Sequence, residues 1–400
     1  MIPPSTSSGD TKFPAWLPRL LGLFAAVGPA SIDMYLPAFP AVEASLGTAP
    51  GTAQLTLAAW FAGLAVGQMT QGTLADRFGR RRPLIGGFAL FALATYGCAL
   101  APTMTWLVIF RLIGAFGASA GMVIARAIIR DLADGHHAAV LMSRLMLVMG
   151  AAPILAPSIG ALVLMFADWR GIFWILAIYG SICALLAWRI LPETLPPERR
   201  ISLGLAAMLG RYRSILRERS FLAHAAMACG GSFCMFAYLG GSSPVLIQGF
   251  GLSPSGFGLV FGFCAIGLIA ASQTNAWLLP RFGLSTMLRV VCRVSLFATT
   301  VLTVLAFSGV HVLWMIVAPM AVALCCQGFS NANTSVGALS RHAAHAGSAA
   351  ALMGVAQFSI GATSGLLVGL LTDGTPRGMA ALMMCGSLAM VIADLFRPGA

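Results

Sequence analysis

Two residues of opposite charge, Asp33 and Arg111, lie within apolar stretches of the sequence that are long enough to cross a membrane. An ionisable side chain in such a position is costly and marks a candidate functional site. Counted along helices, Asp33 lies about 10 Å and Arg111 about 9 Å from the outer end of its stretch, at 1.5 Å per residue. The depths match, so if the two helices face each other or a shared cavity, we expect Arg111 to hold Asp33 ionised, and Asp33 to exchange a proton when substrate or a conformational change alters its surroundings. The structural alternative is a fixed ion pair, or a hydrogen bond between Asp33 and the Tyr35 hydroxyl, that only joins helices.

A short cationic segment, residues 72–83, separates two of the apolar stretches. It carries one acid, Asp76, and four arginines, which are Arg77, Arg80, Arg81 and Arg82. A segment of this composition between two spans must lie at a membrane face, and the positive-inside rule assigns that face to the cytoplasm. The letters Arg-Phe-Gly end at Gly79 and again at Gly283, an offset of 204 residues (283 minus 79). This repeat predicts two related halves.

The composition is that of a protein embedded in a lipid bilayer. Of its residues 58% are hydrophobic and 9% charged, whereas about a quarter of a soluble domain is charged. The net charge of +12 does not indicate nucleic-acid binding, because the basic residues are spread over short loops rather than gathered on one soluble face. The nine cysteines lie in apolar stretches without the paired spacing of metal ligands. We therefore expect buried thiols, no metal and no cofactor.

Twelve stretches have the roughly 20 mostly apolar residues that a spanning helix needs. They are approximately residues 17–40, 53–75, 84–102, 104–126, 140–166, 170–191, 220–248, 255–279, 285–308, 310–334, 347–372 and 376–396. An even number of spans places both termini on one side. If that side is the cytoplasm, nearly every arginine near a span end falls on it, with Arg170 and Arg377 as the exceptions. The sequence thus predicts an all-α, multi-pass membrane protein with both termini in the cytoplasm.

The longest connection divides the chain into six spans and six spans. We expect a cytoplasmic tail over residues 1–16, a first half over 17–191, a linker over 192–219 and a second half over 220–400. Apolar residues at helical spacing, with arginines between them, predict a basic amphipathic helix in the linker, the alternative being a solvated charged segment. No soluble stretch is long enough for a catalytic domain and no phosphate-binding loop is present, so we expect no enzyme, and an ion gradient as the energy source.

The second half offers polar and aromatic groups rather than charges inside its spans. We expect a substrate cavity, mostly apolar with a few polar anchors, lined by Tyr35, Phe236, Tyr238, Gln327, Asn331 and Gln357. For the polar members, interhelical hydrogen bonding is the alternative, and for the aromatic ones ordinary packing. In the fifth span, Pro153, Pro157 and Gly160 predict a bend along which a neighbouring helix can slide, or merely a packing kink.

These motifs resemble those of a known family of membrane transporters. The run Gly72-x-Leu-Ala-Asp76-Arg77-x-Gly79-Arg80-Arg81 resembles the signature loop of the major facilitator superfamily. Four further segments, mainly in the first six spans, resemble the bicyclomycin-resistance (Bcr/CflA) subfamily of drug:proton antiporters. They are Asp33-Met-Tyr-Leu-Pro37-Ala-Phe-Pro40, Arg111-Leu-Ile-Gly-Ala-Phe-Gly117, Arg126-Ala-Ile-Ile-Arg130-Asp131 and Pro153-x-x-x-Pro157-x-x-Gly160.

The resemblance implies two pseudo-symmetric six-helix bundles that export hydrophobic antibiotics or related small molecules in exchange for protons. It implies that Asp33 is the coupling carboxylate, that Arg111 modulates it, and that Asp76 with Arg130 helps to lock one gating state. A monomer in the inner membrane of a bacterium is the accompanying expectation. Pro280 stands where the second-half loop would carry an acid, so we expect gating contacts in that loop to be one-sided.

Two other classes of function remain open from the sequence. Within the same fold, the chain could export a small metabolite such as a dipeptide or an amino acid, or act as a proton-coupled uptake symporter. A cavity with more fixed charge than Asp33 and Arg111 would favour these. A non-transporting membrane receptor would need a signalling domain or long partner-binding loops, and the sequence contains neither.

Overall fold

The computed structural model describes residues 16–133, 135–200, 205–340 and 346–397. Within these ranges the chain forms thirteen α-helices and no β-strand. The helices are α1 (Leu17–Asp33), α2 (Phe39–Leu46), α3 (Ala53–Phe78), α4 (Arg81–Leu100), α5 (Met104–Leu132), α6 (Gly135–Phe166), α7 (Trp169–Arg189), α8 (Leu205–Ile215), α9 (Arg219–Ser243), α10 (Pro254–Phe307), α11 (Leu313–Leu339), α12 (Ala346–Leu371) and α13 (Arg377–Leu395).

The helices account for twelve crossings of a membrane. By length and composition, nine segments of the described chain qualify as spans, and one of them is the 54-residue α10. Gly283 has non-helical backbone angles (φ 73°) and divides α10 into two arms, which correspond to the predicted eighth and ninth spans. The helices α3 and α6, 26 and 32 residues long, supply the two remaining crossings.

Two groups of helices pack mainly among themselves. In the first, α1 contacts α5 and α6, α3 contacts α5, and α4 contacts α5 and α7. In the second, α9 contacts α11, α12 and α13, while α10 contacts α11 and α13. The groups meet where α3 packs on α12 and α6 packs on α10. Each six-helix bundle therefore has its own interior, and two helix pairs join the bundles.

Small residues set the distance between helices within each bundle. A Cβ atom added to Gly117 of α5 would lie 2.5 Å from the carbonyl oxygen of Gly87 in α4. In the second bundle, a Cβ atom on Gly230 of α9 would lie 2.8 Å from the carbonyl oxygen of Gly386 in α13. Glycine allows such backbone contact, and in a bilayer close packing rather than the hydrophobic effect holds helices together.

The connection between the bundles contains the predicted short helix. The helix α8 spans Leu205–Ile215 and contacts α12. Tyr212 and Ile215 are buried, whereas Arg213 is exposed, as an amphipathic helix requires. Residues 201–204 of the linker, and residues 1–15 of the predicted tail, lie outside the described ranges. The domain boundaries at 191 and 219 stay predictions.

Candidate functional site

Arg111 occupies an aromatic cage inside the first bundle and is 2% exposed. Its guanidinium lies 4.1 Å from the ring centroid of Trp60, 5.1 Å from that of Tyr35 and 5.9 Å from that of Phe173. These distances are those of cation–π contacts, which are strongest when water is excluded. Its Nη1 donates to the carbonyl oxygen of Ser31 (3.0 Å). Among the described residues, Nε and Nη2 have no hydrogen-bond partner.

The expected ion pair between Asp33 and Arg111 is not formed. The ion pairs between described residues involve Arg80 and Arg397 but not Arg111. The reason is local: α1 ends at Asp33, and the guanidinium satisfies a carbonyl group of the last turn, where a positive charge also suits the helix dipole. As the matching depths predicted, Arg111 of α5 lies at the level of the end of α1. It donates to the carbonyl oxygen of Ser31, two residues before Asp33, and not to the carboxylate of Asp33.

Asp33 is 4% exposed and has no hydrogen-bond partner among the described residues. The alternative bond from the Tyr35 hydroxyl is also not formed; that hydroxyl instead accepts from Thr56 Oγ1 at 3.4 Å. From the other bundle, α9, which carries Tyr238, contacts the turn Leu36–Ala38 that follows Asp33. Tyr238 is itself 2% exposed. The carboxylate therefore lies where α1 approaches the second bundle.

Three phenylalanines from three helices meet at the interface between the bundles. Phe61 of α3 lies 4.0 Å from Phe236 of α9 and 6.3 Å from Phe358 of α12, between ring centroids. Phe236 and Phe358 are 6.2 Å apart. The sequence predicted Phe236 here and placed Gln357, which is half-buried, next to Phe358. It missed Phe61, because an aromatic residue within an apolar span carries no signal of the face it occupies.

The remaining predicted cavity residues do not gather around this cluster. Tyr35 is fully buried in the cage around Arg111. Gln327 is 8% exposed and its amide lies 3.7 Å from Met390 Sδ of α13, so it faces the interior of the second bundle. Asn331 is exposed. Only part of the predicted set is thus brought together.

The bundles are in contact at the ends of the helices that lie nearest Asp33. Gln54 Nε2 of α3 donates to the carbonyl oxygen of Gly240 in α9 (3.2 Å). Gly51 faces the carbonyl group of Gly369 so closely that an added Cβ atom would overlap it. The structure is therefore closed at this end.

The proline-containing helix α6 lies between α1 and the second bundle. The helix continues through both Pro153 and Pro157. Gly160 packs against the carbonyl group of Met34, the residue after Asp33, with no room for a Cβ atom. On its other side α6 contacts α10. A shift of α6 against α10 would thus be felt directly at the end of α1.

At the opposite end, Arg80 is the centre of a charged network. Its Nε and Nη2 donate to Asp131 (2.7 and 3.2 Å), and its Nη1 donates to Asp76 (2.5 Å). The side chains of Arg80, Asp131 and Asp76 are 8%, 17% and 52% exposed. Burial lowers the pKa of Arg80, but the hydrogen bonds with Asp131 and Asp76 outweigh it and raise the pKa above its usual range. Arg80 therefore stays charged.

The predicted pair of Asp76 with Arg130 is not formed. Arg80 takes the place of Arg130: it follows the reversal of the chain at Gly79 (φ 88°), between α3 and α4, and its Nη1 donates to Asp76. Arg130 is exposed and lies beside Gly347 of α12 in the second bundle. Gly72 has open space around it, with Val123 at 3.9 Å from an added Cβ atom. Arg77 lies over the Phe78 ring (5.3 Å) and outside the network.

Glu193, which follows α7, fastens the loop between α3 and α4. Its carboxylate accepts from the backbone N–H groups of Arg80 (2.7 Å) and Arg81 (3.3 Å). Gly79 has a φ of 88° and lies against the same carboxylate, where a Cβ atom would overlap it. Only glycine satisfies both conditions. Sequence reasoning missed Glu193 and the role of Asp131, since both pairings depend on tertiary structure.

The second bundle has a counterpart of this fastening with the charge reversed. Arg397 stands 204 residues after Glu193 (397 minus 193). It donates to the hydroxyl (3.0 Å) and the carbonyl oxygen (3.1 Å) of Ser285, just after Gly283, and is itself paired with Asp394 at 3.0 Å. The loop without an acid is thus held by an arginine from the end of the chain. In the described part of the chain, no three His, Cys, Asp or Glu side chains are grouped so as to bind a metal ion.

Comparison with known sequences gives the following matches. The sequence model of the Major Facilitator Superfamily matches residues 21–366. An uncharacterized MFS-type transporter, YdgK of Bacillus subtilis, is 36% identical over 384 residues, covering 92% of this chain and 93% of its own. A bicyclomycin resistance protein homolog of Haemophilus influenzae is 29% identical over 381 residues (94% of each chain). The multidrug resistance protein MdtL of Shewanella oneidensis is 28% identical over 373 residues (92% of each chain).

Comparison with solved structures shows the same fold. A D-xylose-proton symporter superposes with a TM-score of 0.73 at 17% identity, over 96% of both chains. A POT family transporter in complex with 5-aminolevulinic acid superposes with a TM-score of 0.75 at 13% identity, over 97% of this chain and 96% of that one.

Proposed function

This chain belongs to the major facilitator superfamily, and we propose that it exports hydrophobic drugs or related small molecules in exchange for protons. The predicted fold of two six-helix bundles is confirmed, as is the prediction of a multi-pass transporter rather than an enzyme. The resemblance to the Bcr/CflA subfamily agrees with relatives that are named for resistance to bicyclomycin, to chloramphenicol and to multiple drugs.

Proton coupling is supported by the surroundings of Asp33. Three acidic residues in the described ranges are buried over the whole residue: Asp33, Glu43 and Asp394. Glu43 accepts from the backbone N–H groups of Gly51 and Ala53 at the start of α3, and Asp394 is paired with Arg397. Asp33 alone of the three has neither kind of partner. Since a buried charge without partners is costly, we propose that Asp33 carries a proton in this state.

Arg111 provides the partner for the ionised form. Its Nε and Nη2 are buried donors without acceptors, and unsatisfied donors beside a carboxyl group favour its charged state when they reach it. We propose that movement of the α1 end, transmitted through Gly160 of α6, brings Asp33 to these donors and releases the proton. The hydrogen bond to the Ser31 carbonyl is then the one that the Arg111 guanidinium makes while Asp33 is protonated.

The cluster of Phe61, Phe236 and Phe358 supports an apolar or aromatic substrate. Aromatic rings supply a large contact area with little fixed charge. The three rings come from both bundles, so a substrate between them would be sensed by both. Export of a dipeptide or an amino acid, or uptake by symport, stays the alternative, and each would require polar anchors that this cluster lacks.

The two ends of the interface fit the two gates of a transporter. The end with Asp33 is closed by Gln54 and Gly51, and the other end carries the Arg80 network. We propose that the Arg80 end faces the cytoplasm, with both chain termini, in the inner membrane of a bacterium, because its loops hold most of the arginines. On this assignment the structure is closed to the outside. We also propose a monomer as the working unit, since each bundle interface lies within one chain.

The test measures proton flux in inverted membrane vesicles energised to an acid interior. A fluorescent reporter follows the proton gradient while lipophilic antibiotics, and then dipeptides and amino acids, are added. We expect particular antibiotics to collapse the gradient, and Asp33→Asn to abolish this response while downhill drug exchange persists. The matched control is Asp373→Asn, which changes an exposed carboxylate in the loop after α12. Undiminished uphill transport by Asp33→Asn would refute the coupling role, and a response to dipeptides alone would favour the metabolite alternative.

A further inference from the structure

A groove of about 340 Å³, whose exposed lining surface is apolar although Thr286 contributes to it, opens on the second bundle between α11 and the two arms of α10. Its walls include Leu278, Phe282, Val290, Val294, Cys326 and Phe329. Cys326 forms the floor and is 5% exposed, whereas the rim residues Phe282 and Val290 are 56% and 52% exposed. Gly258 and Gly262, in the half of the first arm away from the groove, face Ser158 and Ile154 of α6 in the first bundle. The groove therefore opens sideways, to the bilayer, and not to the interface between the bundles.

Three arginines, each next in sequence to a groove-lining residue, have no carboxylate partner among the described residues. Arg281 ends the first arm and stacks on Trp277 at 3.8 Å. Arg289 and Arg293 each precede a groove-lining valine of the second arm, and they are half-buried and exposed respectively. Four residues apart, they share one helical face, where two like charges repel unless an anion lies between them.

The direction of these side chains is fixed by the helix. Side chains in an α-helix tilt towards its N-terminus, and the second arm begins at Gly283, at the end of the molecule that carries the arginine-rich loops. Arg293 lies ten residues after Gly283, which is about 15 Å at 1.5 Å per residue. Its guanidinium must therefore reach back towards the lipid headgroups, as arginines in spans do.

We propose that this groove binds one phospholipid with an anionic headgroup, whose acyl chain fills the groove and whose phosphate lies between Arg289 and Arg293. The apolar walls exclude a polar ligand, and the cationic rim selects a lipid with net negative charge over a zwitterionic one. Arg281, on its tryptophan, bounds the headgroup site on the first arm. In the orientation proposed above this lipid belongs to the inner leaflet, but binding itself does not depend on transport.

The experiment measures lipid retained by the purified, full-length protein in detergent, by native mass spectrometry with phosphatidylglycerol or phosphatidylcholine added. We expect one phosphatidylglycerol to bind, and to bind about 25-fold more tightly than phosphatidylcholine, since each arginine near a headgroup contributes about fivefold. Arg289→Gln with Arg293→Gln should remove this preference. Val294→Trp, which fills the groove, should weaken both lipids, because the acyl-chain site is then occupied.

Matched controls separate this site from general effects of charge and bulk. Arg213→Gln removes an exposed arginine on α8, and Val304→Trp adds the same bulk at an exposed position on the same arm of α10. Both should bind phosphatidylglycerol as the unaltered protein does. Equal binding of the two lipids, or an unchanged preference in the double arginine variant, would overturn the proposal. Loss of labelled antibiotic binding in Val294→Trp with lipid binding intact would instead assign the groove to the substrate. Each result is read without measuring proton flux, so failure here leaves the proposed function standing.

Discussion

Removal of Asp131 should destabilise the protein more than removal of Asp76, although Asp76 is the acid of the signature loop. Asp131 accepts two hydrogen bonds from Arg80 and its side chain is 17% exposed. Asp76 accepts one from the same guanidinium and its side chain is 52% exposed. The two variants to compare are therefore Asp131→Ala and Asp76→Ala.

The expected magnitudes follow from burial. Loss of one partner from a fully buried pair costs about 3–5 kcal/mol, because a charge is left uncompensated. Arg80 is nearly buried but keeps Asp76, and Asp131 retains some exposure to solvent, so we expect about 2 kcal/mol for Asp131→Ala. An exposed pair contributes about 0.2–1 kcal/mol, which leaves about 0.5 kcal/mol for Asp76→Ala. The two free energies of unfolding should thus differ by about 1.5 kcal/mol.

Unfolding can be followed in mixed micelles through the cysteines. Most of the nine thiols are buried in the native state and react with a fluorescent reagent only on unfolding, whereas Cys385 is exposed and would be replaced by serine in every variant. A double-mutant cycle of Arg80→Gln with Asp131→Asn isolates the pairwise free energy. An equal loss of stability for the two alanine variants, or a larger loss for Asp76→Ala, would refute the assignment of Arg80 to Asp131.

Two further perturbations follow from the two other contacts of the site. Arg111→Lys keeps the charge but loses the planar stack on Trp60, so we expect a loss of about 2 kcal/mol in the same unfolding assay. Gly51→Ala should force α3 away from Gly369 and open that end of the molecule. We expect faster labelling of Gln54→Cys, whose parent side chain is 1% exposed, by a membrane-impermeant thiol reagent.

Each of these predictions has a matched control. Arg170 lies over Trp169 at the same 4.1 Å as Arg111 over Trp60, but it is only half-buried, so Arg170→Lys should cost about 0.5–1 kcal/mol. Equal costs at the two sites would show that burial does not strengthen the cage. Gly47 also has a positive φ, 61°, with no atom within 4 Å of an added Cβ. If Gly47→Ala accelerates labelling as much as Gly51→Ala, backbone strain rather than the clash with α12 opens the gate.

The spans and the repeat were predictable because they depend on local composition. Apolar length sets the crossings, and the Arg-Phe-Gly repeat located a glycine with positive φ in the corresponding loop of each half, Gly79 and Gly283. Depth along a helix was also predictable, and it placed Asp33 and Arg111 at the same end. Depth gives the position of a side chain along the helix axis, but not its direction around that axis. The rotation of α5 that directs Arg111 to the Ser31 carbonyl, and not to Asp33, is set by packing around Trp60 that no single stretch encodes.

The two halves share the geometry of the loop but fasten it with residues of opposite charge. Gly79 after α3 and Gly283 after the first arm of α10 both have a positive φ. The residues that fasten these two loops, Glu193 and Arg397, are 204 positions apart. The acid accepts from two backbone N–H groups, whereas the arginine donates to a carbonyl group and a hydroxyl. A peptide loop offers both donors and acceptors, so either charge can hold it. The repeat therefore constrains the position of the fastening residue but not its charge. The second loop, in which Pro280 replaces the acid, is still held in place, by Arg397.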